Sequence, residues 1–189
     1  MGSTGSIGTS TLEVVSHLGK PYRIVAMTAA RSWQKLAQQA LQVRPKVVVL
    51  SDPETEEDFA QLKKILSPKR ISVQRGPDAA SDIAARSDVD IVAASVVGAA
   101  GLAPVLAAAK AGKCIALSNK ETLVAAGSLM MPLLKKHNAS LVPVDSEHSA
   151  IFQALRSGEP KEIRRIILTA SGGPFRTWPV EKIQNATVE

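Results

Sequence analysis

The stretch that decides the fold is Met1-Gly2-Ser3-Thr4-Gly5-Ser6-Ile7-Gly8, a glycine-rich turn at the start of the chain. Leu12 and Val15 follow it at helical spacing, and Gly19 ends the predicted helix before an apolar strand over residues 22–27. A turn of this spacing that opens a helix holds the pyrophosphate of a dinucleotide at the helix N-terminus. The alternative is a flexible N-terminal tail, which the helix and strand that follow disfavour.

Only Met1 stands before this turn. In a dinucleotide-binding unit, the first and central strand of the sheet runs directly into the glycine turn. We therefore expect that strand to be missing from this chain, which leaves its two neighbours unpaired and a slot of the core unfilled.

Apolar segments of strand length alternate with helix-like segments along the rest of the chain. The predicted strands cover 22–27, 46–50, 71–74, 89–94, 114–117 and 140–144, and the predicted helices cover 32–42, 52–66, 77–86, 101–110 and 122–136. The strands are apolar throughout, which is typical of a parallel sheet covered by helices on both faces. The pattern predicts an α/β fold with a doubly wound, Rossmann-like parallel sheet.

The composition is that of an ordinary globular protein of 189 residues, with 45% hydrophobic and 21% charged residues. The net charge of +6 comes from scattered Lys and Arg residues interleaved with acids, and aromatic residues are few, so we expect no nucleic-acid partner. Glycines and a proline interrupt the uncharged run 91–109, so we expect no membrane span and no secretory signal. A single cysteine, Cys114, fits a reducing cytoplasm.

The residues after the second predicted strand indicate which dinucleotide is bound. NAD-specific folds place a carboxylate there for the ribose hydroxyls, whereas a cation there suits the 2′-phosphate of NADP. No carboxylate lies between Glu13 and Asp52, and the strand runs into Arg31 and Ser32. These two residues predict an NADPH site; the alternative for Arg31 is a solvated side chain at a helix N-terminus.

Polar and small residues follow two later strands at the edge where ligands of such sheets bind. Ser95–Gly101 is a run of small residues that would let the backbone approach the nicotinamide. Asn119, Lys120 and Glu121 supply an amide, a cation and a carboxylate that could orient a polar phosphorylated substrate beside the cofactor. The alternative is helix capping by Asn119 with Glu121 in the first turn.

Two carboxylates flank Ser146 at the end of the last predicted strand. In extended backbone Asp145 and Glu147 would point the same way, which suits Mg²⁺ or Mn²⁺. The alternative is an N-cap Asp145 and a first-turn Glu147 on the following helix. A zinc site is not favoured, because His148 is a single histidine beside two carboxylates, with no other histidine near it in the sequence.

Five stretches together resemble the 1-deoxy-D-xylulose 5-phosphate reductoisomerase family. They are 2–8, 97–102, 119–123 (Asn-Lys-Glu-Thr-Leu), 143–153 (Pro-Val-Asp-Ser-Glu-His-Ser-Ala-Ile-Phe-Gln) and 168–176 (Leu-Thr-Ala-Ser-Gly-Gly-Pro-Phe-Arg), in the family's order. The resemblance implies NADPH-dependent conversion of 1-deoxy-D-xylulose 5-phosphate to 2-C-methyl-D-erythritol 4-phosphate in isoprenoid precursor biosynthesis. It also implies a divalent metal, magnesium or manganese, and a homodimer for the complete protein.

The same resemblance assigns roles to individual positions. It places Thr4, Gly5, Ser6 and Ile7 at the pyrophosphate, Arg31 and Ser32 at the 2′-phosphate, Asn119 and Glu121 beside the cofactor, Lys120, Ser146, Glu147 and Ser171 at the substrate, and Asp145 and Glu147 at the metal. Lys120, Asp145 and Glu147 would be the catalytic residues. The family more often shows a Gly-Lys-Asn-like sequence where this chain has Ala30-Arg31-Ser32.

The two ends of the chain depart from the family pattern. We expect residues 1–144 to form the NADP-binding domain without its first strand, and residues 145–189 to begin a truncated α+β catalytic domain. A third metal carboxylate and the substrate-phosphate residues of the family would follow later, so we expect the chain alone to be inactive. The alternative is an NADP-binding module, or another Rossmann oxidoreductase without this chemistry.

Overall fold

The computed structural model describes residues 1–168 and 173–187. The chain divides into two compact units, Met1–Asp145 and Ser146–Glu189. The first unit holds every β-strand of the described residues.

The strands of the first unit form two parallel three-stranded sheets. They are β1 (Ala26–Ala29), β2 (Val47–Leu50), β3 (Ser72–Arg75), β4 (Ile91–Ala94), β5 (Cys114–Leu117) and β6 (Ser140–Pro143). One sheet has the order β1-β2-β3 and the other β4-β5-β6. Ala26 pairs with Val47 in the first sheet, and Ile91 pairs with Cys114 in the second.

Helices connect successive strands, as parallel pairing requires. Those of the first unit are α1 (Ser6–Leu18), α2 (Trp33–Val43), α3 (Glu56–Leu66), α4 (Pro77–Ala84), α5 (Leu102–Lys110) and α6 (Lys120–Lys136). The second unit contains α7 (Ser146–Ala154) and α8 (Val180–Gln184). Short 3₁₀ turns lie at Ser67–Lys69, Ala99–Gly101, Leu155–Ser157, Pro160–Glu162 and Gly173–Phe175.

The core explains why the strands are apolar throughout. Val48 and Leu50 of β2 pack in one buried cluster with Leu36 of α2 and Leu62 of α3. Val47 and Val49, on the other face of the same strand, pack against α4 in a second cluster. Both faces of the sheet are therefore covered, and the predicted α/β fold with parallel, Rossmann-like sheets is confirmed.

Several predicted element boundaries differ from the structure, and the largest differences are at β1 and α3. The strand predicted over 22–27 lies at β1, because its register is set by pairing with β2. The helix predicted to begin at Asp52 begins at Glu56, because Thr55 and Asp58 cap it reciprocally. Glu147 lies in the first turn of α7 and not in extended backbone, so the argument that it points the same way as Asp145 along a strand does not hold.

None of the helices in the described part of the chain combines the length and the apolar character needed to cross a bilayer.

Candidate functional site

Contacts from β1 and α2 hold the glycine turn at the carboxyl end of β1. Ser3 donates its backbone N–H to the Thr28 carbonyl at 2.8 Å, and Gly2 donates to the Thr28 hydroxyl at 3.0 Å. From α2, Gln39 Nε2 donates to the Ser3 carbonyl at 2.9 Å, and Lys35 Nζ donates to the Thr4 carbonyl at 2.8 Å. The turn is thus positioned by the surrounding fold.

The turn requires glycine at two of its positions for steric reasons. Gly2 has a φ of +72°, and a Cβ there would lie 2.8 Å from the Ser95 carbonyl oxygen. A Cβ on Gly8 would lie 2.2 Å from the Gly2 oxygen and 2.5 Å from Ser3 Cα. Only glycine at position 8 therefore allows α1 to pack this closely against the turn.

The N-terminus of α1 is suited to an anion. Gly5 is its N-cap residue, none of the described side chains caps it, and its first turn contains no acidic residue. The first backbone N–H groups of a helix carry a partial positive charge, so an uncapped end attracts phosphate. Ser6 and Ile7 lie exposed in this first turn, as a pyrophosphate site requires.

Arg31 follows β1 at the same edge of the sheet. Its Nε donates to Asp52 Oδ2 at 2.7 Å, and both side chains are about three-fifths exposed (62% and 61%). The hydrogen bond that Arg31 donates to the Asp52 carboxylate raises the pKa of Arg31 above its ordinary value. Ser32 is exposed at the N-cap of α2 without a capping bond from its side chain. A cation and a hydroxyl therefore follow β1, the strand whose Thr28 also contacts the glycine turn.

Asn119 is buried between the ends of β4 and β5. Its Nδ2 donates to the carbonyls of Val96 and Gly98 at 2.5 and 2.9 Å, and its Oδ1 accepts from Thr122 N–H at 3.0 Å. The capping alternative is thus confirmed for Asn119, which also fixes the 96–98 turn. Glu121 lies exposed in the first turn of α6.

Lys120 begins α6 and points to the end of β6. Its Nζ lies 3.2 Å from Asp145 Oδ2, and the Asp145 side chain is 16% exposed against 59% for Lys120. The first unit therefore places a cation and a shielded carboxylate together beyond two neighbouring strands.

In the second unit, Ser146 Oγ donates to Glu147 Oε2 at 2.7 Å at the start of α7. Among the described residues, no group of three or more His, Cys, Asp and Glu side chains is arranged to hold a metal ion. Ser171 lies outside the described residues.

Sequence reasoning missed the residues that support the glycine turn from α2. The side chains of Lys35 and Gln39 donate hydrogen bonds to backbone carbonyls of the turn. Contacts to the backbone leave no sequence motif. Gln39 carried one usable signal: it lies on the same helix face as Leu36 and Ala40, which are fully buried, and is itself only 8% exposed. A polar side chain on an apolar helix face needs a hydrogen-bond partner, and the turn provides it.

Comparison with known sequences identifies the family. The sequence model for 1-deoxy-D-xylulose 5-phosphate reductoisomerase matches residues 1–127, and the model for the C-terminal domain of the same enzyme matches residues 141–189. The chain belongs to this reductoisomerase family. A relative of that name from Acaryochloris marina is 48% identical over 188 residues, and one from Trichlorobacter lovleyi is 46% identical over 189 residues.

Solved structures of the reductoisomerase family have the same fold. The Zymomonas mobilis enzyme in complex with NADPH matches 98% of this chain with a TM-score of 0.86 and 41% identity. A structure of the enzyme in complex with NADPH, fosmidomycin and magnesium matches with a TM-score of 0.82 and 38% identity. The chain covers 48% of each of these two structures and spans about half the length of the curated relatives it matches, 47% for Acaryochloris marina.

Proposed function

We propose that this chain supplies the NADPH-binding part and the first catalytic residues of a 1-deoxy-D-xylulose 5-phosphate reductoisomerase. The observation that carries the proposal is the uncapped N-terminus of α1, against which the glycine turn packs, with Arg31 at the same edge of the sheet. The closeness of Gly8 to Gly2 leaves the helix end open to a pyrophosphate. Arg31 would hold the 2′-phosphate, with Ser32 beside it.

Thr4, Gly5, Ser6 and Ile7 would hold the pyrophosphate through backbone N–H groups, as the resemblance implies. Asn119 would act through the backbone, since its side chain is used by the Val96 and Gly98 carbonyls and by the N-terminus of α6. It would thus keep the 96–98 turn beside the cofactor. Glu121 would lie on the cofactor side of the same helix.

Asp145 and Glu147 would supply two carboxylates for a divalent cation, magnesium or manganese. Carboxylate oxygens fit such a hard cation, and Asp145 is shielded from water. Two carboxylates give an incomplete set of ligands, so further ligands must come from other residues, substrate or water. Lys120, Ser146, Glu147 and Ser171 would contact the substrate.

When bound, the metal would stabilise negative charge on substrate oxygens, and NADPH would supply a hydride for the reduction. The chain's own residues would position the substrate and polarise its oxygens. Lys120, whose Nζ lies 3.2 Å from Asp145 Oδ2, would place a positive charge beside the same substrate oxygens. Ser146 would restrain the Glu147 carboxylate through their hydrogen bond.

The remaining parts of the proposal follow from the reaction. Residues 1–144 would be the NADP-binding domain, and residues 145–189 would begin the catalytic domain of a larger protein. The substrate would be the phosphorylated sugar 1-deoxy-D-xylulose 5-phosphate, converted to 2-C-methyl-D-erythritol 4-phosphate for isoprenoid precursors. The complete protein would be a cytoplasmic homodimer that binds neither nucleic acid nor membrane.

A chimera tests this proposal. The chain replaces the matching 188 residues of the Acaryochloris marina relative, so that the rest of that enzyme completes the site. We expect NADPH oxidation that depends on 1-deoxy-D-xylulose 5-phosphate and on magnesium or manganese, and that Asp145→Asn abolishes. A chimera that folds and binds NADPH but does not turn over, beside an active parent enzyme, would favour a binding module without catalysis.

A further inference from the structure

Lys35 holds an ammonium group at the glycine turn without an acidic partner. Its side chain extends from α2, is exposed, and donates from Nζ to the Thr4 carbonyl at 2.8 Å. None of the ion pairs formed among residues 1–168 and 173–187 includes Lys35. An ammonium has three hydrogens to donate, and the Thr4 carbonyl takes one of them, so Lys35 can also donate to a ligand.

The helix that carries Lys35 gains nothing from a cation at this position. Lys35 is the third residue of α2, and the first turn of this helix contains no acidic residue. The macrodipole of a helix disfavours a positive charge in its first turn. Ser32, at the N-cap, makes no capping bond with its side chain. An anion bound beside this helix end would interact favourably with Lys35 and with the free backbone N–H groups.

Lys35 connects the two places to which the proposed function assigns phosphates. The N-cap residue and the third residue of a helix lie on the same side of its first turn, so Lys35 starts beside Ser32. Arg31 directly precedes Ser32, and the other end of the Lys35 side chain reaches Thr4 of the glycine turn. The Lys35 side chain therefore spans the distance between the N-terminus of α2 and the turn.

The charge around Arg31 shows why a second cation is needed there. Arg31 donates to Asp52 at 2.7 Å, and this hydrogen bond, the charge of Asp52 and, to a smaller extent, the charge of Glu54 raise the pKa of Arg31. These carboxylates offset much of the positive charge that Arg31 brings. A phosphate monoester carries about −1.5 to −2 charges at pH 7, which Arg31 beside Asp52 does not balance.

We propose that Lys35 is a second cation of the 2′-phosphate site and a determinant of the preference for NADPH over NADH. The proposal rests on the proposed function, because that function supplies the ligand. The Lys35 ammonium would keep its bond to the Thr4 carbonyl and donate to a 2′-phosphate oxygen. The pyrophosphate, which both dinucleotides contain, would be held by the backbone N–H groups of the turn.

Calorimetric titration of Lys35→Gln with NADPH and with NADH tests this assignment. We expect the affinity for NADPH to fall roughly tenfold and the affinity for NADH to change by less than about twofold, because only NADPH loses a charge-assisted hydrogen bond. Lys35→Arg keeps the cation and should bind NADPH within about threefold of the unmutated chain.

Lys63→Gln is the control for net charge. It removes the same charge from an exposed position on α3, and both affinities should stay within about twofold of those of the unmutated chain. An equal loss of NADPH affinity in Lys63→Gln and Lys35→Gln would mean that Lys35 acts only through net charge, which would overturn the proposal.

The two dinucleotides separate a phosphate ligand from a support of the turn. Equal losses for NADPH and NADH in Lys35→Gln would overturn the proposal, because Lys35 would then serve only the turn or the pyrophosphate. A preference for NADPH that survives Lys35→Gln unchanged would overturn the role of Lys35 alone. An unmutated chain without this preference would overturn the proposed NADPH site and, with it, this proposal.

Acetylation of the unmutated chain gives a second test, which holds even if Lys35→Gln loosens the turn. A water-soluble acetylating reagent modifies exposed lysines, and mass spectrometry measures the rate at each one. Saturating NADPH should slow acetylation of Lys35 at least about fivefold, whereas saturating NADH should slow it less than about twofold. Neither should protect Lys63. Equal protection of Lys35 by the two dinucleotides, or none by NADPH, would overturn the proposal.

Discussion

The glycine turn and the carboxylate segment 145–147 are built in different ways. The turn is held by Thr28, Lys35, Gln39 and Ser95, which come from three other parts of the chain. In the carboxylate segment, Asp145 forms an ion pair with Lys120. The hydrogen bond that the structure gives for the Ser146 and Glu147 side chains joins these two sequence neighbours to each other. This difference indicates that the proposed cofactor-phosphate site is preformed in this chain, whereas the proposed metal site has only two carboxylates, Asp145 and Glu147.

The largest expected effect is at Gly8. Gly8→Val places carbon atoms where the backbone of Gly2 and Ser3 lies, so the turn must move away from the N-terminus of α1. We expect NADPH affinity to fall by roughly 100-fold or more, measured by fluorescence titration. Unfolding in denaturant should show a loss of about 1–3 kcal/mol.

Gly5→Ala is the control for stability at Gly8. Its added Cβ would meet its nearest neighbour, the Gly2 oxygen, at an ordinary distance of 3.5 Å. We expect its free energy of unfolding to fall by no more than about 1 kcal/mol, the cost of alanine in place of glycine at the N-cap. Equal destabilisation by both substitutions would show that the turn is not packed as described.

The next effect tests whether Arg31 holds the 2′-phosphate. Arg31→Glu removes a charge-assisted contact and adds repulsion, so NADPH should bind roughly 30- to 100-fold more weakly while NADH is little affected. Calorimetric titration measures the affinities for NADPH and for NADH. Lys63→Glu makes the same charge change on α3, and an equal loss there would mean that Arg31 acts only through net charge.

The pH dependence of stability tests how deeply the start of the turn is buried. Burial lowers the pKa of the Met1 α-amino group from 8.0 to about 6. The folded chain therefore binds this proton less tightly than the unfolded chain. The free energy of unfolding should rise between about pH 6 and pH 8, by up to roughly 2–3 kcal/mol.

Denaturant unfolding at about pH 5.5 and pH 8.5 measures this change. A chain acetylated at Met1 is the control, since it has no amine to titrate. The pH-dependent step should be absent there, and a step of the same size in the acetylated chain would assign it to other groups.

A smaller effect is expected at the carboxylate segment. With two carboxylates, the chain should bind Mn²⁺ only weakly, and Asp145→Asn should weaken binding by roughly tenfold. Asp82→Asn, on the exposed face of α4, should have no effect. Tight Mn²⁺ binding that survives Asp145→Asn would place the metal site elsewhere.

Local signals predicted much of the fold. β5 was predicted with its observed bounds because its apolar run is short and bounded by polar residues on both sides. The start of α3 was wrong because two capping sequences compete, Asp52-Pro53 and Thr55 with Asp58, and Asp52 pairs with Arg31 instead. The position of β1 depended on its register with β2, which local sequence does not contain.

The site was predictable where one residue type decides the chemistry. The glycine spacing and the cation at Arg31 could be interpreted from sequence because they reflect steric room and charge. Gln39 was missed because its role depends on a carbonyl 36 residues away in sequence. The backbone at Glu147 was misjudged because α7 starts directly after Asp145, and helix and strand are equally compatible with that short polar segment.

The most direct test of a preformed NADPH-phosphate site is calorimetric titration of the unmutated chain with NADPH and with NADH under identical conditions. The two ligands differ only by the 2′-phosphate, which we propose that Arg31 and Ser32 hold. We predict that NADPH binds at least about tenfold more tightly, a difference of about 1.4 kcal/mol. Equal affinities for the two dinucleotides would contradict this assignment.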